Sequence, residues 1–165
     1  MSYHIYTTKG IVLRNSGVGE ADRIYTIFTR ELGKVYARAI GVRKSDSKLR
    51  GNLESYSLSS VSFVKGKDFW RITSSQLVKN IPPIPTITKP LNLLDRLIQG
   101  EEAHPELFDE IEQSLALGGV SEDFEIELAA KILFHLGYLQ KSDLELDKKS
   151  LIQAINKGLE ASHLT

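Results

Sequence analysis

The 165-residue sequence contains no cysteine. Disulfides, thiolate zinc sites and a cysteine nucleophile are excluded together. There is also no apolar run near the roughly 20 residues that a membrane-spanning helix needs. The stretch Met1 to Gly10 mixes polar and aromatic side chains and lacks the apolar centre of a secretory leader. A cytoplasmic protein without a membrane is the expectation. The four histidines, His4, His104, His135 and His163, are too scattered for metal-ligand spacing, so neither a metal nor a cofactor is expected. Gly17-Val18-Gly19 lacks the lysine and the following helix of a phosphate loop. The acidic residues at 101–112 and 122–127 make no paired set at one strand end, and His135 reads as a packing residue. Nothing here points to an enzyme.

What is present is a charge imbalance hidden by a net charge of zero. Residues 1–80 hold 14 Lys+Arg against 6 Asp+Glu, a surplus of eight positive charges. Residues 81–165 hold 7 against 15, a surplus of eight negative charges. A basic half calls for a polyanionic partner. The acidic half reads as a protein-binding surface, a spacer or a solvated exterior. Hydrophobic residues make up 41% of the chain, enough for a folded core in each half.

The pattern changes where the charge changes. Residues 82–90, Pro-Pro-Ile-Pro-Thr-Ile-Thr-Lys-Pro, read as a connector, because proline lacks the backbone donor that helices and central strands use. Before it the period is close to two. Val35, Ala37 and Ala39 alternate with Lys34, Tyr36 and Arg38, and Tyr25 to Thr29 is β-branched and aromatic. Turn signals at Ser16-Gly17-Val18-Gly19, Glu31-Leu32-Gly33 and Lys65-Gly66-Lys67-Asp68 separate the runs. Five strands are predicted, near 4–14, 21–29, 34–43, 54–64 and 69–78. Five short strands suit a small closed barrel, with the OB-fold as first choice and an SH3-like barrel as competitor.

After residue 90 the period is helical. Pro90 opens a helix with Leu91, Leu94, Leu97 and Ile98, stopped by Gly100. Pro105 opens a second, with Leu107, Phe108, Ile111 and Leu115 on one face. Ser121 caps a third, whose apolar face is Ile126, Ala129, Ala130, Leu133 and Leu136. Ser150 with Gln153 makes a capping box for a last helix. The fold class expected is α+β: a five-stranded OB-fold barrel over 1–80, a connector over 81–90 and an α-helical domain over 91–165.

The basic half carries the functional signal. Lys34, Tyr36 and Arg38 share one face of a strand. Such a row suits single-stranded nucleic acid, with cations for phosphates and a ring on which a base can stack. The next loop places Arg43, Lys44, Lys48 and Arg50 within eight residues, an arm able to follow a phosphate backbone. Tyr36 as a packing residue and the loop as plain solvated surface are the rival readings, and edge strands carry cations for solubility too.

The same segments resemble the RecO recombination mediators. The resemblance runs through Gly10-Ile11-Val12-Leu13-Arg14, Gly19-Glu20-Ala21-Asp22-Arg23, Phe28 to Lys34, Gly41-Val42-Arg43-Lys44 and Leu49-Arg50-Gly51-Asn52-Leu53. Further matches lie at Leu94-Asp95-Arg96-Leu97, His104 to Phe108 and Leu136-Gly137-Tyr138-Leu139. It implies a bacterial, nucleoid-associated protein that binds single- and double-stranded DNA and anneals complementary strands. It also implies help in loading RecA onto strands coated by single-strand-binding protein (SSB). RecR and the acidic C-terminal tail of SSB are the implied partners, with RecA engaged indirectly. No nucleotide cofactor is implied. DNA contact falls to Lys34, Tyr36, Arg38, Arg43, Lys44, Lys48 and Arg50, with Arg14 and Arg23 as weaker candidates. The SSB tail would need a basic pocket, for which Arg96, Lys131 and Lys141 are the candidates. Many members carry a four-cysteine zinc module that is absent here, and the chain is short for the family. Two other readings use the same residues: an RNA-binding OB module, and a protein-interaction adaptor working through the acidic helices.

The charge pattern generates a salt prediction. If six basic residues between 34 and 50 each meet a phosphate, log Kd against log salt should have a slope of magnitude about 4 to 5. A flat response in a fluorescence titration would remove the electrostatic reading.

Overall fold

The computed structural model describes residues 3–163. The chain divides into two compact units: residues up to Pro82 together with Gln99–His104, and Pro83–Ile98 together with the residues from Pro105 onward.

The first unit is built on five strands, β1 (Ile5–Val18), β2 (Asp22–Thr29), β3 (Gly33–Ala39), β4 (Ser57–Val64) and β5 (Trp70–Asn80). They close into a barrel in the order β1-β2-β3-β5-β4, with β4 returning to β1. All pairings are antiparallel except β3 with β5. This is the OB-fold, and α+β is the fold class of the chain. Alternation put the inward residues in place. Val12, Tyr25, Ile27, Val35, Ala37, Val61, Phe63 and Ile72 form the barrel core.

Closure depends on β1 serving two neighbours. Its first half pairs with β4 and its second half with β2, and Gly10 and Ile11 pair with both. The register then shifts between Val12 and Arg14, the bulge that lets a strand bend at a barrel corner. Gly10 sits at the bend. A Cβ there would lie 2.5 Å from Cγ2 of Ile27, and Ile27 is wholly buried in the core with no room to yield.

Three boundaries of the barrel differ from the sequence reading: the end of β1, the start of β4, and the end of β3, which stops at Ala39 instead of reaching residue 43. Ser16, Gly17 and Val18 are not turn residues. They continue β1, opposite Ile24, Arg23 and Asp22, and the turn follows at residues 19–21. Ladder bonds of a hairpin need only backbone groups, so small polar residues do not end it. The fourth strand starts at Ser57, because residues 40–56 form a chain of turns instead.

Residues 99–104 return to the barrel after an excursion into the second unit. The Lys34 amide donates to the Gly100 carbonyl at 3.2 Å. Gly33, at φ +69°, meets this strap so closely that a Cβ would stand 2.5 Å from the Glu102 carbonyl oxygen. Glu101 accepts from the Trp70 indole N–H and from Lys65 Nζ, both at 2.8 Å. The Lys65 ammonium also lies 4.4 Å from the Trp70 ring centroid, a cation–π contact. Burial acts to raise the Glu101 pKa, but the bonds from Lys65 and Trp70 outweigh it and hold the carboxyl below its ordinary range.

The second unit has four helices among the described residues: α1 (Pro85–Leu97), α2 (Pro105–Ala116), α3 (Glu122–His135) and α4 (Lys148–Ala161), with a 3-10 turn at Lys141–Glu145. The connector reading of 82–90 is corrected here. Pro82 and Pro83 are extended, but α1 begins at Pro85 and runs through Pro90. Pro85 occupies the first turn, where its missing N–H costs nothing. Pro90 forfeits one helical bond, offset by burial of Ile87, Pro90, Leu91 and Leu94. The cap of α4 is also corrected: Asp147 is the N-cap, and Ser150 lies inside the first turn. For α3, Ser121 caps as expected, its hydroxyl accepting from the Phe124 amide at 3.1 Å. Its buried residues are Leu128, Ala130, Ile132 and Leu133, while Ile126, Ala129 and Leu136 are only half-buried. Since α3 touches α1, α2 and α4 alike, it has no single apolar face. No described helix is long and apolar enough to cross a membrane.

Trp70 is the only tryptophan, so its emission reports the strap. Replacing Glu101 with alanine leaves the mostly buried indole donor unpaired and should cost about 1 kcal/mol in urea unfolding. A carboxyl with lowered folded-state pKa lends stability above its unfolded value, and this is lost as pH falls through the folded value. Trp70 emission should therefore shift with a midpoint below 4.5, the ordinary Glu value. An identical titration in Glu101→Gln would show that the carboxylate is not the cause.

Candidate nucleic-acid interface

The outer face of the barrel carries the first part of the site. Arg14, Thr26 and Tyr36 lie side by side across β1, β2 and β3. The Arg14 guanidinium stands 6.0 Å from the Tyr36 ring centroid, and the ring is 41% exposed. One step along, Ile24, Arg38 and Arg71 line up across β2, β3 and β5. Arg38 and Arg71 are both exposed. Arg71 was not among the residues selected from sequence, because the parallel β3–β5 pairing that brings it beside Arg38 leaves no local signal.

Lys34 departs from the expected row. It shares the strand with Tyr36 and Arg38 but is buried, at 7% exposure. Strand alternation sets direction and cannot tell a covered end of a face from an open one. Lys34 therefore drops out of the phosphate-contact set, and the row that remains is Tyr36 and Arg38 with Arg14 and Arg71 beside them.

Asp22 fixes Arg38 and the loop behind it. Its carboxylate accepts from Arg38 Nε at 3.0 Å and Nη2 at 2.7 Å, and from the Gly41 amide at 2.7 Å. The Gly41 amide first, then Arg38, hold the Asp22 carboxyl below its usual range. Arg38 thus presents an oriented guanidinium with part of its charge already answered.

The loop 40–56 is not a loose arm throughout. Val42 and Leu53 are buried. Asn52 Nδ2 donates to the Ser75 carbonyl at 3.0 Å, and its own carbonyl accepts from Ser59 Oγ at 2.5 Å. The Arg43 amide donates to the Ala21 carbonyl and its Nη1 to the Gly19 carbonyl, both at 2.9 Å. Lys44, Lys48 and Arg50 are exposed between these anchors.

The second part of the site is a cleft of about 240 Å³ between this loop and the β1–β2 hairpin. Arg23, Arg43 and Arg50 line it, with Asn15, Tyr25 and Glu54. Val42 and Leu53 complete the floor. The sequence selected Arg43 and Arg50 in one basic segment and Arg23 apart; the fold places all three around one concavity. Arg23 is oriented by a hydrogen bond from its Nη1 to Asn15 Oδ1. The Tyr25 hydroxyl has its pKa raised by burial, with Arg23 and Glu54 acting in opposite senses.

The partner candidates Arg96, Lys131 and Lys141 are not brought together. Arg96 rims an apolar groove of about 290 Å³ among α1, α3 and α4, with Lys89, Leu93, Ile126 and Ile155. Lys131 is engaged by Glu110 at 3.0 Å, and Lys141 is exposed at the start of the 3-10 turn. Among the described residues no three His, Asp or Glu side chains are placed to hold a metal ion.

A basic OB barrel joined to a helical unit is the class that these observations define. Residues 1–81 match the family model described as Recombination protein O N terminal. A relative called DNA repair protein RecO in Desulfitobacterium hafniense is 30% identical over 143 residues, 81% of this chain and 52% of that one. Its namesake in Dehalococcoides mccartyi is 43% identical over 77 residues, 47% of this chain and 30% of that one. The chain belongs to the RecO family. It spans about half the length, or less, of these curated relatives.

The Asp22 arrangement can be read at the Gly41 amide. Its protection factor, the exchange rate relative to the intrinsic rate at the same pH, should be high near neutral pH and fall as pH drops below the usual Asp range, since a lowered pKa protects only while the carboxylate stays ionised. Asp22→Ala should abolish the protection at every pH. Slow exchange in that variant, measured by NMR, would mean that the Gly41 turn holds without the carboxylate.

Proposed function

We propose that this protein is a DNA-binding recombination mediator in DNA repair. It binds single- and double-stranded DNA, anneals complementary strands and helps to load RecA on SSB-coated DNA. The observation that carries the reading is the open cation–aromatic face of Arg14, Tyr36, Arg38 and Arg71, with the Arg23–Arg43–Arg50 cleft as a second basic site on the same barrel. Cations on such a face neutralise phosphates without regard to sequence. A ring exposed among them offers a stacking surface that a duplex cannot use. The names of the relatives favour DNA over RNA as the polyanion.

Partners follow from the same reading. The groove rimmed by Lys89 and Arg96 offers cations to the acidic SSB tail. RecR is the other partner, and the working place is the cytoplasmic nucleoid. The action needs no chemical step by the protein.

Strand annealing of SSB-coated complementary oligonucleotides tests the reading. The full chain should speed annealing, and Tyr36→Ala should weaken single-strand binding by about 1–3 kcal/mol while sparing duplex. Arg43→Ala with Lys44→Ala should weaken both. Loss of melting temperature in Tyr36→Ala, with relative affinities unchanged, would make the ring structural. Absence of annealing and of DNA binding would overturn the proposal.

A further inference from the structure

The Arg23–Arg43–Arg50 cleft has a property that general phosphate binding does not require. Its three guanidinium groups come from separate stretches: β2, the start of the 40–56 loop and its far end. Among the described residues none of the three has a carboxylate ion-pair partner, although Glu54 lines the same cleft. Three cations and one anion leave a local surplus of two positive charges in a concavity of about 240 Å³. Like charges gathered around one space repel, and a bound anion relieves this more the more negative charge it brings. An internal phosphodiester brings one negative charge. A phosphomonoester brings about 1.5 to 2 near neutral pH.

We propose that this cleft is a receptor for the phosphomonoester at the end of a DNA strand. The inference rests on the DNA-binding reading above and narrows it to strand ends. Two of the arginines are already oriented, Arg23 by Asn15 Oδ1 and Arg43 by the Gly19 carbonyl. A guanidinium has five N–H donors, so each keeps donors for a phosphate. Arg50, exposed on its turn, closes over the third side. A terminal phosphate offers three oxygens free of ester links, and three forks can share them. The buried Tyr25 hydroxyl stays protonated at neutral pH and adds a neutral donor.

The test uses the full chain and one short single-stranded oligonucleotide in three forms: 5′-phosphate, 3′-phosphate and both ends hydroxyl. One phosphorylated form should bind about tenfold or more tightly than the hydroxyl form, and which one gives the strand polarity. Arg50→Ala should abolish the difference between the three forms, with the hydroxyl form itself weakened by the loss of one phosphate-facing cation. Arg50 makes no ion pair among the described residues, and unchanged Trp70 emission confirms that the variant is folded. Arg50→Lys should keep part of the preference, because a point charge replaces the fork. Equal binding of all three forms overturns the end receptor and leaves the DNA-binding reading standing. Loss of binding for every form in the parent protein overturns both. A preference that survives Arg50→Ala places the receptor elsewhere and overturns this assignment.

Discussion

The barrel rests on one close approach. At Gly10 a single strand leaves one neighbour for another, and the backbone comes within a methyl group's width of Ile27. Everything exposed on the barrel inherits its direction from that corner. The bulge after Val12 turns Arg14 toward the Tyr36 face, and the extended β1–β2 hairpin forms one wall of the arginine cleft. A side chain at Gly10 would act first on packing and then on both parts of the interface.

Much of this was legible in the order of residues. Alternation, β-branched and aromatic content and the turn signals between them together located the five strands. The cations of the 43–50 segment were legible as a group because they are dense, whereas Arg23 stood apart as a weaker candidate. What failed did so for identifiable reasons. Pro90 marks a helix start by local rule, yet it lies mid-helix because neighbouring helices bury its ring. Lys34 obeys the strand period but sits where the face is covered. Arg71 and Glu54 matter through pairings between distant segments, and periodicity carries no information about those.

Two carboxylates show how acidic residues serve a basic barrel. Asp22 orients Arg38 and ties down Gly41; Glu101 orients Lys65 and answers the Trp70 indole. Each gives up local positive charge in return for a fixed position. Two arginines of the cleft, Arg23 and Arg43, are treated differently, held by neutral acceptors that keep their charge intact. Neutral holding beside the cleft and anionic holding elsewhere concentrates the positive potential in one place.

The strap at 99–104 has a consequence for how the chain is connected. The backbone passes between the units three times, after Pro82, after Ile98 and after His104. Helix α1 is therefore bound at both of its ends to barrel segments, as a loop is bound to its base. No single break in the chain yields two intact units. A cut at the first passage leaves the barrel's own strap on the far fragment, and a cut at the third leaves α1 on the barrel. The two units are separate as packed bodies but inseparable as inheritance: neither can be lost, duplicated or exchanged as one uninterrupted stretch of sequence.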